Sequence, residues 1–296
     1  RKIRRSFDFD VIDAHFVYPD GFGAVLLGRF FKRPVTITVR GTIRKFFNTF
    51  LIPRLIRYAL RKATRVFSVC EDLRNAAIEA GGIPDKISVV ANGVDTEKFY
   101  PIDQGTARRE LGLDPDRKIL ISVGGLTERK GFHRIIELLP DLKTAYPDLL
   151  YIVVGGGSVE GNNEVYLRQL VKDLDLQEHV YFAGAQPHIE LYRWLNAADL
   201  FCLATANEGW ANVFLEAMAC GLPVITTDVG GNPEVVCSEE LGMLVPYNDE
   251  AALAAAIQSA LKKEWQRDQL VEYAQQNSWD KRVMFLKQNF REMASE

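Results

Sequence analysis

Short apolar runs alternate with helical patterns along the whole chain, and this alternation constrains the fold more than any other feature. In the second half, six strand-like runs occupy Ile119–Val123, Leu150–Val154, Val180–Phe182, Leu200–Leu203, Val224–Thr227 and Met243–Val245. Helical stretches of roughly 8 to 15 residues separate most of these runs. Parallel strands need such crossover helices, so the pattern predicts a doubly wound parallel α/β sheet over residues 106–276.

Fewer strands precede this sheet. The runs Val11–Ala14, Val35–Val39, Val66–Val69 and Ile87–Val90 predict a second Rossmann-like sheet within residues 1–91. The polar stretch over residues 92–105 predicts a linker between the two domains. Only about 90 residues precede this linker, whereas a usual domain has ~100–150 residues. We therefore expect the first domain to be incomplete.

The composition is typical of a globular protein with a large core, because 47% of the residues are hydrophobic and 25% are charged. The four cysteines have no CxxC spacing, and three of them lie in or beside apolar runs. Such cysteines are typical of reduced thiols in a cytoplasmic protein rather than of a disulfide framework or a zinc site. No apolar run approaches the ~18 residues of a membrane-spanning helix.

Positive charge is concentrated at the start of the chain. Residues 1–66 carry 15 Lys/Arg against 4 Asp, a net charge of +11, whereas the remaining residues carry −14. In the segment 44–62, cations alternate with aromatic and aliphatic residues, which is compatible with two interpretations. One is peripheral contact with an anionic membrane, and the other is a helix packed on its own sheet with a solvated basic face. The acidic whole chain and the lack of a nucleic-acid motif predict no nucleic-acid partner.

The segment Glu208–Glu216 carries the strongest chemical signal. An apolar strand precedes it, and a helix that ends at Gly221 follows, so amides near Ala211, Asn212 and Val213 are expected to be free donors at a helix N-terminus. Such a terminus suits a phosphate. Glu208 lies before the terminus and Glu216 about two turns into the helix. Two carboxylates beside a phosphate suit a nucleotide-sugar, since one can bind the sugar and the other the ribose. The alternative interpretation is an ordinary strand-turn-helix with two exposed Glu residues.

The residues around this segment resemble a known family. Glu208-x7-Glu216, with the runs 217–224 and 228–235, is similar to family 4 of the retaining glycosyltransferases, which have the GT-B fold of two Rossmann-like sheets. Residues 91–101 match the family's interdomain hinge. Residues 277–296 resemble the family's C-terminal helix, which crosses back to the first domain. The family's Gly-rich loop on its first strand has no counterpart before Asp10.

The resemblance implies roles for the donor-side residues. Glu216 is expected to bind ribose hydroxyls, and Glu208 the sugar near its 3- and 4-hydroxyls. Lys130, in the loop Gly124–Gly131, matches the family's diphosphate-binding lysine, and a fixed cation there stabilises the developing charge of the leaving group. The chain departs from the family at Gly125, where most relatives carry Arg, and we hypothesise that Arg129 substitutes.

Further residues follow strands at the edge where ligands bind in such sheets. His15 resembles the family's cleft histidine, which contacts the transferring sugar, although a lone His is more often structural. Arg40 and Gly41 resemble a cleft-edge motif that meets donor or acceptor, and Gln186 lies where relatives hold the base. The predicted catalytic residues are His15, Lys130 and Glu208. The predicted donor-binding residues are Gly124, Gly125, Arg129, Lys130, Gln186, Glu208, Gly209, Trp210, Ala211, Asn212, Val213 and Glu216.

No cofactor and no metal are expected. The Asp-x-Asp triplets at Asp8, Asp114 and Asp173 resemble the metal-binding pair of another glycosyltransferase architecture, but none follows a strand at a cleft edge. They are interpreted as solvated turns or helix faces. The chain has no P-loop, His-Glu-x-x-His or Gly-x-Ser-x-Gly motif, which argues against NTPase, zinc protease and α/β-hydrolase chemistry.

The sequence therefore predicts a hexosyltransferase that uses a UDP- or GDP-sugar, with a saccharide or lipid-linked acceptor, in polysaccharide or glycolipid biosynthesis. The resemblance implies retention of the donor's anomeric configuration, with the departing diphosphate acting as the base. Two alternatives stay open. One is a non-catalytic nucleotide-sugar-binding fragment, and the other an NAD-dependent Rossmann enzyme, although a G-x-G-x-x-G motif with an acidic residue ~20 positions later is missing.

Overall fold

The computed structural model describes residues 7–47 and 49–295. The chain divides into two compact units, Arg1–Gly93 with Trp279–Glu296, and Val94–Ser278. The ends of the second unit lie side by side, because Val94 forms a parallel bridge with Ser278 and its amide donates to the Asn277 carbonyl at 3.1 Å. The predicted linker 92–105 thus overlaps residues that are already part of the second unit.

The first unit is built on a parallel sheet with strands in chain order, β1-β2-β3-β4. These strands are β1 (Ile12–His15), β2 (Val35–Val39), β3 (Arg65–Ser68) and β4 (Ile87–Val89). The helices α1 (Phe22–Phe31), α2 (Ile52–Lys62) and α3 (Glu71–Glu79) connect them. Three single turns of helix also occur, at Val17–Gly21, Ile43–Phe46 and Pro84–Lys86. In the register, Ala14 lies beside Ile37 and Ile37 beside Val66, so the centre of the sheet is apolar.

The last helix of the chain, Trp279–Ser295, belongs to the first unit and is called the C-terminal helix below. Its residues Phe285 and Phe290 contact the ring of Phe67 on β3 edge-on, with centroids 6.5 and 6.3 Å apart. Arg65 donates to Glu292 at 3.0 Å. The chain therefore returns to its first sheet at its end.

The basic segment 44–62 supplies α2, whose apolar side faces inward. Ile56, Ala59 and Leu60 are fully buried, while Arg54 and Arg61 are exposed. The structure thus shows a helix packed on its own unit with a solvated basic face, while Phe50 and Leu51, just before the helix, are exposed. Asn48, within the same segment, lies outside the described residues.

The second unit contains a parallel sheet with the strand order β10-β9-β8-β5-β6-β7. Its strands are β5 (Ile119–Val123), β6 (Leu150–Val154), β7 (Val180–Gly184), β8 (Leu200–Leu203), β9 (Val224–Thr227) and β10 (Gly242–Val245). Its helices are α4 (Gln104–Leu111), α5 (Phe132–Ala145), α6 (Glu164–Asp173), α7 (Leu191–Ala197), α8 (Asn212–Ala219), α9 (Asn232–Val235), α10 (Glu250–Lys262) and α11 (Arg267–Gln276). The chain builds outward from β5 to β7 and then restarts at β8, so the sheet has a switch point between β5 and β8.

The central strands are buried on both faces. Along β5, Ile119 and Ile121 join one apolar cluster with Phe201 and Phe214, whereas Leu120 joins a second cluster on the opposite face. Strands covered by helices on both sides have continuous apolar sequences rather than alternating ones. This explains why all ten predicted strands are confirmed to within about two residues.

Two other sequence-based expectations bear on the core. Cys70, Cys202 and Cys220 are buried and form no disulfide, and burial raises the pKa of Cys202 and Cys220. Cys237 is exposed. Across residues 7–47 and 49–295, none of the helices is both long and apolar enough to cross a bilayer.

Candidate active site

The loops that follow β5 and β8 form the centre of the candidate site. Ile121 of β5 pairs with Phe201 of β8, so the two strands are neighbours and their carboxyl ends lie at the same edge of the sheet. The loop after β5 carries Lys130, and the loop after β8 carries Glu208. Residues about 80 positions apart in sequence therefore meet at the switch point, which is where doubly wound sheets bind ligands.

The Glu208 carboxylate is held by two cations and a hydroxyl. Lys130 Nζ donates to Oε1 at 2.6 Å, and Arg129 Nη1 donates to the same oxygen at 3.0 Å. The Thr205 hydroxyl lies 3.2 Å from that oxygen. Glu208 is only 8% exposed, and a buried carboxylate persists when its charge is paired and hydrogen-bonded. The predicted catalytic residues Lys130 and Glu208 are thus in direct contact.

Arg129 lies in the same cluster. Its guanidinium also donates to the Asn207 carbonyl at 2.6 Å and to Glu160 Oε2 at 2.7 Å. At Gly125, an added Cβ would lie 3.1 Å from Ser158 Cβ, so a side chain there would require a small shift of the neighbouring loop. A second cation is therefore present beside Lys130, and it comes from position 129.

Backbone contacts fix the loop after β8 against the loops after β5 and β9. The Gly231 amide donates to the Glu208 carbonyl at 3.1 Å, and the Ala206 amide donates to the Arg129 carbonyl at 2.8 Å. Gly131 has φ of +72°, and a Cβ on it would lie 2.0 Å from the Ala204 carbonyl oxygen. Only glycine permits this approach of the two backbones, which brings Lys130 within reach of Glu208.

Helix α8 begins at Asn212, within the segment 211–213 where the sequence predicts a helix N-terminus. Ala211 precedes it in an extended conformation and accepts a hydrogen bond from the Phe214 amide at 3.1 Å. Ala211 has no side-chain oxygen that could cap the helix. The indole Nε1 of Trp210 is buried and has no hydrogen-bond partner among the described residues. The sequence correctly places a helix N-terminus beside Glu208.

Glu216 is the fifth residue of α8, so it lies about one turn into the helix and not two as predicted. Its carboxylate Oε1 is 3.1 Å from His188 Nε2, in the turn His188–Glu190 that follows β7. Burial raises the pKa of Glu216, and the hydrogen bond from His188 opposes this shift. Sequence reasoning missed His188, although it lies only two residues beyond the predicted base-binding residue Gln186.

The side chain of Gln186 is turned onto its own loop. Its Nε2 donates to the Ala183 carbonyl at 2.6 Å. In this conformation the side-chain amide is engaged within its own loop and makes no hydrogen bond to Glu216 or Glu208.

The first unit brings His15 and Arg40 together at the carboxyl ends of β1 and β2. Arg40 Nη2 lies 3.0 Å from His15 Nδ1, and His15 Nε2 lies 3.3 Å from Asp13 Oδ2. Arg40 can only donate, so Nδ1 accepts and the ring proton lies on Nε2. Burial lowers the pKa of Arg40, and Asp13 opposes that shift. Asp13, which also accepts from Thr36 at 2.6 Å, completes a cluster that the sequence showed only in part.

The acidic triplets lie in solvated positions. The Asp116 amide donates to the Asp114 carboxylate at 2.9 Å in an exposed turn, and Asp8 pairs with Arg33 at 3.0 Å. Asp173 accepts a hydrogen bond from Gln169 on α6. Within residues 7–47 and 49–295, His, Cys, Asp and Glu form no group of three or more that could hold a metal ion.

Comparison with known families agrees with this arrangement. Residues 103–277, which include the second sheet and the cluster around Glu208, match the family described as "Glycosyl transferases group 1". Residues 1–98 match the family described as "Glycosyltransferase Family 4". The chain belongs to the group 1 glycosyl transferases. The resemblance inferred from Glu208-x7-Glu216 is therefore confirmed.

Related group 1 glycosyl transferases are longer than this chain. A relative named D-inositol 3-phosphate glycosyltransferase, from Corynebacterium urealyticum, is 34% identical over 240 residues. The match covers 77% of this chain and 57% of that protein. The chain spans about half the length of the first relatives that it matches.

Solved structures confirm the expected GT-B fold class. Sucrose-phosphate synthase from Thermosynechococcus elongatus superposes with a TM-score of 0.84 at 22% identity, over 99% of this chain and 76% of that one. Anabaena HepE in complex with UDP also gives 0.84 at 22% identity, over 100% of this chain and 81% of that one. Identities at this level establish the fold alone.

Proposed function

We propose that this group 1 glycosyl transferase moves a hexosyl group from a UDP- or GDP-sugar to a saccharide or lipid-linked acceptor, in polysaccharide or glycolipid biosynthesis. The observation that carries the proposal is the contact of Lys130 with Glu208 beside the amino end of α8, with Glu216 one turn further on. A diphosphate needs cations and amide donors, and sugar and ribose hydroxyls need carboxylates. The UDP bound by HepE, a protein of the same fold, agrees with such a donor.

The donor-side residues then have distinct tasks. Glu216 accepts hydrogen bonds from the ribose, and Glu208 from the sugar near its 3- and 4-hydroxyls. Lys130, Arg129 and the amino end of α8 face the diphosphate, with Gly124, Gly125 and the segment 209–213 lining it. In the first unit, His15 contacts the transferring sugar, while Arg40 and Gly41 meet donor or acceptor. The roles in the second unit are supported by the positions described above, whereas those of His15, Arg40 and Gly41 follow the family resemblance alone.

Transfer proceeds with retention of configuration at the anomeric carbon. The bond between C1 and the diphosphate oxygen breaks ahead of attack, which produces an oxocarbenium-like state. The acceptor oxygen then bonds to C1 on the same face, and its proton passes to the departing diphosphate. Lys130 lowers the barrier by stabilising the charge that builds on the diphosphate. The protein supplies no nucleophile, and the scheme uses no metal.

Binding and turnover of candidate donors test this function directly. We expect UDP- or GDP-sugars to raise the melting temperature, because a ligand at 100 times its Kd stabilises the folded state by about 2.7 kcal/mol. The bound donor should also release nucleoside diphosphate when acceptor is present. NAD serves as the control ligand and should have no effect. If neither class of nucleotide-sugar shifts the melting temperature, the proposed function is wrong.

A second candidate is a unit that binds nucleotide-sugars without transferring them. The chain spans only part of the length of the relatives that it matches, so transfer is tested separately from donor binding. The same experiment separates the candidates. Saturable donor binding without transfer or donor hydrolysis favours the binding unit, and turnover favours the enzyme.

An anionic membrane is the partner proposed for segment 44–62. Since Ile56, Ala59 and Leu60 face inward, the basic side of α2 makes the contact, through Arg54, Arg57, Arg61 and Lys62. Co-sedimentation with vesicles should require anionic lipid and weaken with salt. Replacing both Arg54 and Arg61 by Glu should abolish it. The control variant, which combines Lys143→Glu and Lys172→Glu in the second unit, should bind the vesicles as the wild type does. Binding that is indifferent to lipid charge and salt would contradict the proposal.

A further inference from the structure

The carboxylate of Glu216 is paired with an imidazole that comes from another segment of the second unit. His188 approaches from the turn after β7, with Nε2 at 3.1 Å from Glu216 Oε1. Phe99, which precedes α4, contacts the imidazole edge-on with ring centroids 5.0 Å apart. Phe99 is 1% exposed, so it is a fixed part of the core. The imidazole is therefore set in place by packing on one side and by a hydrogen bond on the other.

The pairing leaves acceptor capacity on Glu216 unused. Its side chain is 14% exposed, whereas that of His188 is 58% exposed. Within residues 7–47 and 49–295, His188 gives the only hydrogen bond to this carboxylate. A carboxylate has about four lone-pair positions, so a single donor satisfies a minority of them. A nearly buried carboxylate with so few partners is suited to a ligand that brings further O–H donors.

We propose that His188 is a positioning residue that orients Glu216 toward the 2′- and 3′-hydroxyls of a ribonucleotide. The inference rests on the proposed function, because it takes the nucleotide of the donor as the ligand. A ribose diol supplies two O–H donors. A carboxylate with one oxygen held by His188 keeps a fixed orientation, so it can accept from both hydroxyls. A site built to bind hydroxyls rejects analogues that lack them, so ribose-versus-deoxyribose selectivity depends on His188.

This role distinguishes His188 from a residue that merely stabilises the fold. A structural residue affects all ligands equally, whereas an orienting residue affects the ligand that uses the oriented group. Loss of His188 should raise the KM for the donor and leave kcat nearly unchanged, because the ribose is bound equally in the ground state and the transition state.

Affinities for a nucleoside diphosphate and its 2′-deoxy form measure the effect. Calorimetry with UDP and 2′-deoxy-UDP, and with the GDP pair, is carried out on wild type, His188→Ala and His188→Gln. We expect His188→Ala to weaken binding of the ribonucleotide about tenfold, as for loss of a hydrogen bond to a charged group, and to reduce the ribo-to-deoxy preference by a similar factor. His188→Gln, which retains an N–H donor, should recover most of the preference.

The control is His179→Ala, since His179 bonds the Leu149 carbonyl at the opposite end of β7 and should leave the preference unchanged. An unchanged preference in His188→Ala, or an equal loss for both nucleotides, overturns the role of His188 while the donor assignment stands. Failure of wild type to bind either diphosphate overturns the proposed function and this inference with it.

Discussion

Replacing Lys130 by alanine is expected to reduce glycosyl transfer by about 100- to 1,000-fold, the usual effect of removing one preorganised donor from a developing charge. The variant should still fold, because Arg129 and Thr205 continue to contact Glu208 after the lysine is removed. The measurement is kcat/KM with a fixed acceptor and varied donor. Lys172→Ala, an exposed lysine on α6, is the matched control and should be fully active.

Arg129→Ala tests whether position 129 supplies the cation that Gly125 lacks. The structure places its guanidinium on the same oxygen of Glu208 as Lys130, so we expect a weaker but measurable loss of donor affinity. If Lys130→Ala abolishes donor binding while Arg129→Ala leaves it unchanged, Arg129 has no part in diphosphate binding. A Lys130→Ala enzyme with wild-type kcat/KM would contradict the proposed role of Lys130 itself.

Gly131→Ala is expected to destabilise the second unit by about 3 kcal/mol. About 1 kcal/mol comes from the left-handed conformation at φ of +72° and the rest from backbone displacement, since the new Cβ would lie 2.0 Å from the Ala204 oxygen. Donor affinity should fall as well, because Gly131 and Ala204 adjoin Lys130 and Thr205. Urea unfolding and donor titration of the same sample measure both effects.

Gly112→Ala is the matched control for this substitution. Gly112 ends α4 with φ of +66°, and nothing lies within 4 Å of an added Cβ. Gly112→Ala therefore introduces the same backbone strain as Gly131→Ala without the steric overlap. We expect it to lower the free energy of unfolding by only about 1 kcal/mol. Equal losses at the two positions would show that the close approach at Ala204 contributes nothing.

The strands could be predicted from the sequence because burial on both faces leaves an unmistakable run of apolar residues. Ile119–Val123 and Leu150–Val154 have the same bounds in the sequence analysis and in the structure. The segment 44–62 could not be interpreted in the same way. An amphipathic pattern specifies that one side of a helix is covered, and it does not say whether protein or lipid covers it. In the structure, Ile56 and Leu60 are covered by protein.

The candidate site was predictable only where a motif spans a single loop. Glu208, Glu216 and Lys130 lie in short segments with recognisable spacing, whereas His188 reaches Glu216 from a turn 28 positions earlier in the chain. The contact depends on the edge-on packing of Phe99 against the imidazole, and neither Phe99 nor His188 belongs to a motif. The closeness of Arg129 to Glu208 was likewise hidden, because strand order rather than sequence distance brings these loops together.

The bridge between Val94 and Ser278 has an evolutionary consequence. A unit whose first and last residues form a β-bridge with each other can be inserted into another protein at a single site. Residues 94–278 can thereby be inherited as one piece while the sequence that flanks them diversifies.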